Sequence, residues 1–224
     1  MTLFRMALRE ASRLHPGSAL LVLFLAPFAV IPYAALLAVE SSSRVASDIA
    51  YLFALLAAHA IAIQYGAGVR PLENGFTDLL RVRGLSAGAI LRSRAAGFGT
   101  LCLLPLAAVV GGSVLAAGWM GARDILRVAI APLGALQTFG VAVFFGAILS
   151  RQATAICAYA VVLIGQVPSG RDNIPWIFPR YAVFDFWPGD VPGPGETASL
   201  ILGALAYGVG GVLAASALAE IRDR

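Results

Sequence analysis

The 224-residue chain contains no lysine, and charged residues of all kinds make up only 12% of it. A phosphate-binding loop of the G-x-x-x-x-G-K-[ST] type needs a lysine to reach the phosphates, so the chain has no such nucleotide-hydrolysing loop of its own. A soluble domain spends roughly a quarter of its residues on charge; half that share means that most of this surface faces something apolar. The cysteines are Cys102 and Cys157, both within apolar stretches, where they read as small packing residues and say nothing of redox compartment. No His, Cys and carboxylate group has metal-ligand spacing, so no metal site is expected. Ser169-Gly170 has no histidine in any later apolar stretch to act as its base, so no catalytic residue is assigned.

What the chain does contain is apolar sequence: 59% of its residues are hydrophobic, and the mean hydropathy is +0.84. Runs of 18 or more apolar residues are long enough to cross a hydrocarbon core of about 30 Å. The expected fold is an all-α membrane protein, a single transmembrane domain of about six helices at 18–39, 49–69, 96–118, 128–149, 153–167 and 198–219. The basic stretch before residue 18 is not read as a cleavable signal, because the apolar run from Ser18 to Val39 exceeds an h-region.

All 16 basic residues are arginine, giving a net charge of +4 and an isoelectric point near 9.5. Nucleic acid is not the expected partner, because the arginines sit in short loops beside the apolar spans, where anionic lipid headgroups account for them. With residue 1 in the cytoplasm, the inner side holds Arg5, Arg9, Arg13, Arg70, Arg81, Arg83, Arg92, Arg94, Arg151, Arg222 and Arg224. The outer side holds Arg44, Arg123, Arg127, Arg171 and Arg180. That excess inside follows the positive-inside rule, and implies a multi-pass protein of a bacterial inner membrane with both ends of the chain cytoplasmic.

Residues 1–14 are amphipathic, with Leu3, Phe4, Ala7, Leu8 and Leu14 on one face and Arg5, Arg9 and Arg13 on another. The spacing suits an interfacial helix in the headgroup plane; a simple cytoplasmic start is the alternative. Within the spans drawn above there is no Asp, Glu or Arg, which argues against ion-coupled transport. The polar residues at membrane depth are His59, Gln64, Gln137 and Gln166. They are pathway-lining candidates, or they hydrogen-bond neighbouring helices.

The inner loop from Arg70 to Arg94 carries a second amphipathic pattern. Leu72, Phe76, Leu79 and Leu80 recur at helical spacing, while Glu73, Asn74, Thr77, Asp78 and Arg81 form the other face. Gly84 is expected to stop this helix and Ser86 to cap the next. Either the short helix anchors the loop on lipid, or it couples to a soluble partner by inserting into a groove. Acidic Glu73 and Asp78 would face anionic lipid unfavourably, which favours the partner.

On these residues the chain resembles the ABC-2-type permeases, the membrane subunits of a class of bacterial ABC exporters. The family's loop pattern is a glutamate, a glycine two residues on, a Leu-Leu pair, a small-residue turn and a basic residue before span 3. Here these are Glu73, Gly75, Leu79-Leu80, Gly84-Leu85-Ser86 and Arg94. The six-span layout and amphipathic first helix are also similar. Departures are Gly84-Leu85 where a proline commonly precedes the serine, and Arg94 where lysine is usual.

The resemblance implies a cytoplasmic ABC ATPase subunit as partner, with ATP and Mg on that subunit and no cofactor in this chain. Leu72, Glu73, Gly75, Phe76, Asp78, Leu79, Leu80 and Arg81 would form the coupling surface. It also implies a second permease subunit, identical or not. The outer segment IPWIFPRYAVFDF, residues 174–186, is similar to the family's Pro-Trp and Pro-aromatic stretch between spans 5 and 6. Pro175, Trp176, Phe178, Pro179 and Tyr181 are therefore outer-gate candidates, on short re-entrant helices or a plain interfacial loop.

In the last span, Ala206, Gly210 and Ala214 form one small-residue row and Gly211, Ala215 and Ala219 another. Such rows let helices approach closely in lipid, within or between subunits. The expected function is the permease subunit of an ATP-driven exporter, not an enzyme by itself. Its substrate would be apolar or amphipathic: a drug, natural product, lipid, haem-like cofactor or peptide. A membrane assembly or scaffold protein that transports nothing is the rival reading.

Overall fold

Where hydropathy marks only the apolar part of a helix, hydrogen bonding carries the helix further. The computed structural model of the chain describes residues 3–14, 43–69, 84–116, 122–165, 198 and 201–222. Among these residues there is no strand. The helices are α1 (Leu3–Leu14), α2 (Ser43–Gly68), α3 (Ala87–Ala116), α4 (Ala122–Gly146), α5 (Arg151–Gly165) and α6 (Ile201–Arg222). The segments expected as spans 2 to 6 are thus helical, but α2, α3 and α4 begin six to nine residues before their apolar runs, at 43 rather than 49, 87 rather than 96, and 122 rather than 128. The extra turns carry Arg44, Arg92, Arg94, Arg123 and Arg127. The segment 18–39 and the loop helix expected over 72–83 lie outside the described residues.

Among the described residues two helices are long and apolar enough to cross a bilayer: α3 over Ala87–Gly111, with 25 residues, and α6 over Ile201–Arg222, with 22. At 1.5 Å per residue these span about 38 and about 33 Å, against a hydrocarbon core of about 30 Å. A core helix of a water-soluble protein would be mostly buried, whereas the apolar windows of α3 and α6 are 39% and 22% buried. Leu103 and Leu104 on α3, Ile156 on α5 and Leu202, Leu205 and Leu213 on α6 are exposed. So much exposed apolar side chain suits a lipid surrounding better than water.

Inside, the packing relies on small residues. The core joins Ala57, Ala58 and Ala62 of α2, Ala95 and Phe98 of α3, Ala131, Ala135 and Ala142 of α4, Ala158 of α5, and Ala215 and Ala219 of α6. With alanine at the contacts, helix axes come close and van der Waals contact accumulates along the backbone. α4 is the shared partner, packing on α2, α3, α5 and α6.

The tightest contact is between α4 and α6. A Cβ on Gly140 would strike the carbonyls of Tyr207 and Gly208 and lie 2.5 Å from Gly208 Cα. A Cβ on Gly211 would lie 2.6 Å from the Gly140 carbonyl carbon. In this stretch α6 widens into a π-helical segment, Ala204–Val209, where the Gly210 N–H reaches Leu205 O, five residues back. The two small-residue rows of α6 therefore separate. Ala215 and Ala219, in the row of Gly211, are buried in the bundle, while Ala206 and Ala214, in the row of Gly210, are exposed.

α1 is two-faced, but its buried side is only partly the expected one: Ala7 is buried and Leu3 and Leu8 are half-buried, and Ala11, outside the expected face, is buried with them. The centre of its apolar stripe, Ala7 and Ala11, is buried, with Arg5, Arg9 and Ser12 outside. It packs against α3. There Gly97 has no side chain, and a Cβ at that position would lie 2.8 Å from Ala7 Cβ. Phe4 remains exposed at the edge of the stripe.

Substitution at the α4–α6 seam should be costly, because the obstacle is backbone. Gly140→Ala is expected to destabilise the protein by about 1–3 kcal/mol, the usual range for overpacking. Gly210→Ala, whose Cβ would meet nothing within 4 Å, should be neutral or stabilising by up to about 1 kcal/mol through helix propensity. Thermal unfolding in detergent, read side by side for the two variants, checks this; equal effects would contradict the seam.

Candidate functional site: a polar seam and a tied helix end

Two neighbouring residues of α4, Gln137 and Thr138, are polar and buried. They point about 100° apart, as consecutive helical residues must, and so serve different helix pairs. Thr138 faces α2, where its Oγ1 lies 2.7 Å from His59 Nδ1. The Thr138 hydroxyl donates its proton to Gly134 O at 2.9 Å. With that proton on Gly134 O, Nδ1–H donates to the hydroxyl oxygen; in the other tautomer Nδ1 accepts the hydroxyl proton, and the bond joins α2 to α4 either way. The His59 ring lies over Gly134, where a Cβ would come within 2.9 Å of its Cε1. His59 is 3% exposed, and it acts as a buried cross-helix hydrogen-bonding group.

Gln137 faces α6. It is 2% exposed, and a Cβ on Gly203 would lie 2.5 Å from its Nε2. Gln64 is half-buried; five residues beyond His59, it is turned about 140° around α2. His59 and Gln137 thus serve different helix contacts, His59 from α2 to α4 and Gln137 from α4 to α6. Gln166 lies outside the described residues, as do all the coupling candidates from Leu72 to Arg81 and the outer-gate candidates Pro175, Trp176, Phe178, Pro179 and Tyr181.

The residues just before α3 are described from Gly84 onward. Gly84 adopts φ +76°, a left-handed conformation that costs a side-chain-bearing residue energy and that glycine accepts freely. Ser86 Oγ then accepts the Ala89 N–H at 3.2 Å, capping α3. The cap stands at the serine that the sequence pattern marks, while the helix that Gly84 is expected to stop lies outside the described residues.

Other groups at this end were not legible from local sequence. Glu220, in the last turn of α6, accepts the Ser86 hydroxyl at 3.1 Å and has Arg92 Nη1 at 3.8 Å. Arg222 Nη1 donates to Ala147 O at 2.8 Å, at the corner where α4 ends. The partners are separated by 134 and 75 residues, so no periodicity links them. Arg94, which the hydropathy pattern puts in the loop, lies inside α3 and is 5% exposed, with its guanidinium 5.8 Å from the centre of the Phe98 ring.

Chemically, the described residues offer hydrogen bonding and charge placement. Cys102 and Cys157 are unpaired thiols, and among the described residues no three His, Cys, Asp or Glu side chains converge as a metal site. Comparison with family models, with curated proteins and with solved structures finds no match to this chain.

The His59–Thr138 bond can be weighed directly. Thr138→Val should lower stability by about 1 kcal/mol, the scale of cross-helix hydrogen bonds in membranes, while Thr138→Ser should keep most of it. Unfolding in detergent measures both. Equal loss in the two variants would show that the methyl group, and not the hydroxyl, matters there.

Proposed function

We propose that this chain is the membrane-embedded permease subunit of an ATP-driven exporter, a multi-pass protein of a bacterial inner membrane. It would work with a cytoplasmic ABC ATPase and with a second permease subunit. The observation that carries the reading is the pattern from Glu73 to Arg94, which closes on the helix break and cap at Gly84 and Ser86. A docking helix in that loop needs a sharp stop and a firm restart of the following helix, so that force on the loop reaches a long spanning helix.

Three further features support it. The exposed apolar side chains on α3, α5 and α6 suit lipid. The excess of inner arginines orients the chain with its inner loop in the cytoplasm. The absence of lysine leaves no phosphate-binding loop here, so ATP chemistry would belong to the partner. The apolar spans suit a substrate that is apolar or amphipathic.

The docking surface is testable. Burying leucine or phenylalanine contributes about 1.5–3 kcal/mol per side chain, part of which is lost to ordering on association. Phe76→Ala or Leu79→Asp should therefore weaken ATPase association about tenfold or more, since about 1.4 kcal/mol is one decade. Membrane insertion should be unaffected. Copurification measures the effect, and unaltered copurification and transport in Leu79→Asp would leave the scaffold reading ahead. Orientation is tested separately by impermeant labelling of cysteines placed at 45, 122 and 190, which should react only from outside.

A further inference from the structure

The last turn of α6 carries one acid and one base, and each meets the end of another helix with the sign that end prefers. Glu220 sits on the start of α3. Its carboxylate accepts the hydroxyl of the capping Ser86 at 3.1 Å, and a Cβ on Gly88 would lie 2.8 Å from its Cδ. Only a glycine at 88 lets the carboxylate settle so close to the first turn of α3. A negative group belongs at a helix N-terminus. Arg222 sits on the end of α4, donating to Ala147 O at 2.8 Å, and a cation belongs at a C-terminus. The Arg92 contact at 3.8 Å is between half-exposed groups and adds little by itself.

The two turns held in this way are the start of α3 and the corner between α4 and α5. Ser86 ends the inner loop and starts α3, while the Ala147 corner leads through Ser150, whose Oγ accepts the Ala153 N–H at 3.4 Å, into α5. We propose that the last turn of α6 is a two-pronged clamp. Glu220 and Arg222 are its positioning residues, and they join the start of α3 and the α4–α5 corner so that both turns move with α6. On the export reading, from which the proposal takes only the source of the pull, displacement of the loop before Gly84 is delivered to α6 and α5 together.

Hydrogen exchange of the full chain in lipid nanodiscs tests the clamp without any partner, by comparing wild type with Glu220→Gln and Arg222→Gln. Glu220→Gln keeps a hydrogen-bond acceptor for Ser86 and removes the charge. Each variant should speed exchange about threefold or more at the Ala89 and Ile90 amides, and equally at Ile148 and Leu149, because one clamp holds both turns. Acceleration confined to the turn nearest the changed residue would overturn the proposal. So would failure of both variants to accumulate in the membrane, which would assign these contacts to folding alone.

With the ATPase subunit present, both variants should retain it on copurification yet move about tenfold less substrate per ATP hydrolysed. An unchanged ratio also overturns the clamp. Absence of any ATPase from the wild-type preparation would instead overturn the export reading, and the exchange data would still decide the clamp.

Discussion

The bundle depends on how closely α4 and α6 approach. At Gly140 and Gly211 the two backbones meet with no side chain between them, and at Gly208 the α6 backbone lies against the side chain and carbonyl of Leu136. In lipid there is no water to expel, so helix association rests on contact area and on polar pairs. A glycine seam maximises the first. Because α4 also packs on α2, α3 and α5, its distance from α6 sets the spacing of the whole assembly. The π-helical turn at Ala204–Val209 lies in this same stretch. Such turns shift the register of a helix face, and here the change occurs where α6 must fit around Gly140 and lay Gly203 against Gln137.

Polar groups then fix rotation where small residues fix distance. Thr138 and Gln137 leave α4 on adjacent positions and address α2 and α6 respectively. A smooth alanine surface would let α2 turn or slide on α4 at little cost. The His59–Thr138 bond, backed by the Thr138–Gly134 bond, gives that interface a single register. At the end of the bundle, Glu220 and Arg222 do the same for α6 with charge placed on the ends of other helices. The arrangement ties the start of α3, at Ser86, to the last turn of α6.

Much was readable without coordinates. Apolar runs located the helices from α2 to α6, and the amphipathic stripe located α1, since both follow from local periodicity and chain length. Gly84 marked a left-handed backbone position and Ser86 a cap, because those residue types meet a local backbone demand. The starts of α2, α3 and α4 precede their apolar runs by six to nine residues, because hydropathy reports the apolar part of a helix while hydrogen bonding continues through the arginine-bearing turns.

Which of two equivalent small-residue rows on α6 faces inward could not be read from the chain, because Gly210 and Gly211 look alike until a partner helix is present. In the fold the row of Gly211 meets α4, while Ala206 and Ala214 of the other row stay outside. The sequence by itself determined the helical segments among the described residues, their lipid-suited apolar composition and the serine cap before α3, since composition and short-range spacing suffice for that. Only the tertiary structure decided that His59 answers Thr138, that Gln137 answers Gly203, and that Glu220 and Arg222 tie down two remote turns. Those pairings join residues up to 134 positions apart, and their geometry exists only once the helices have packed.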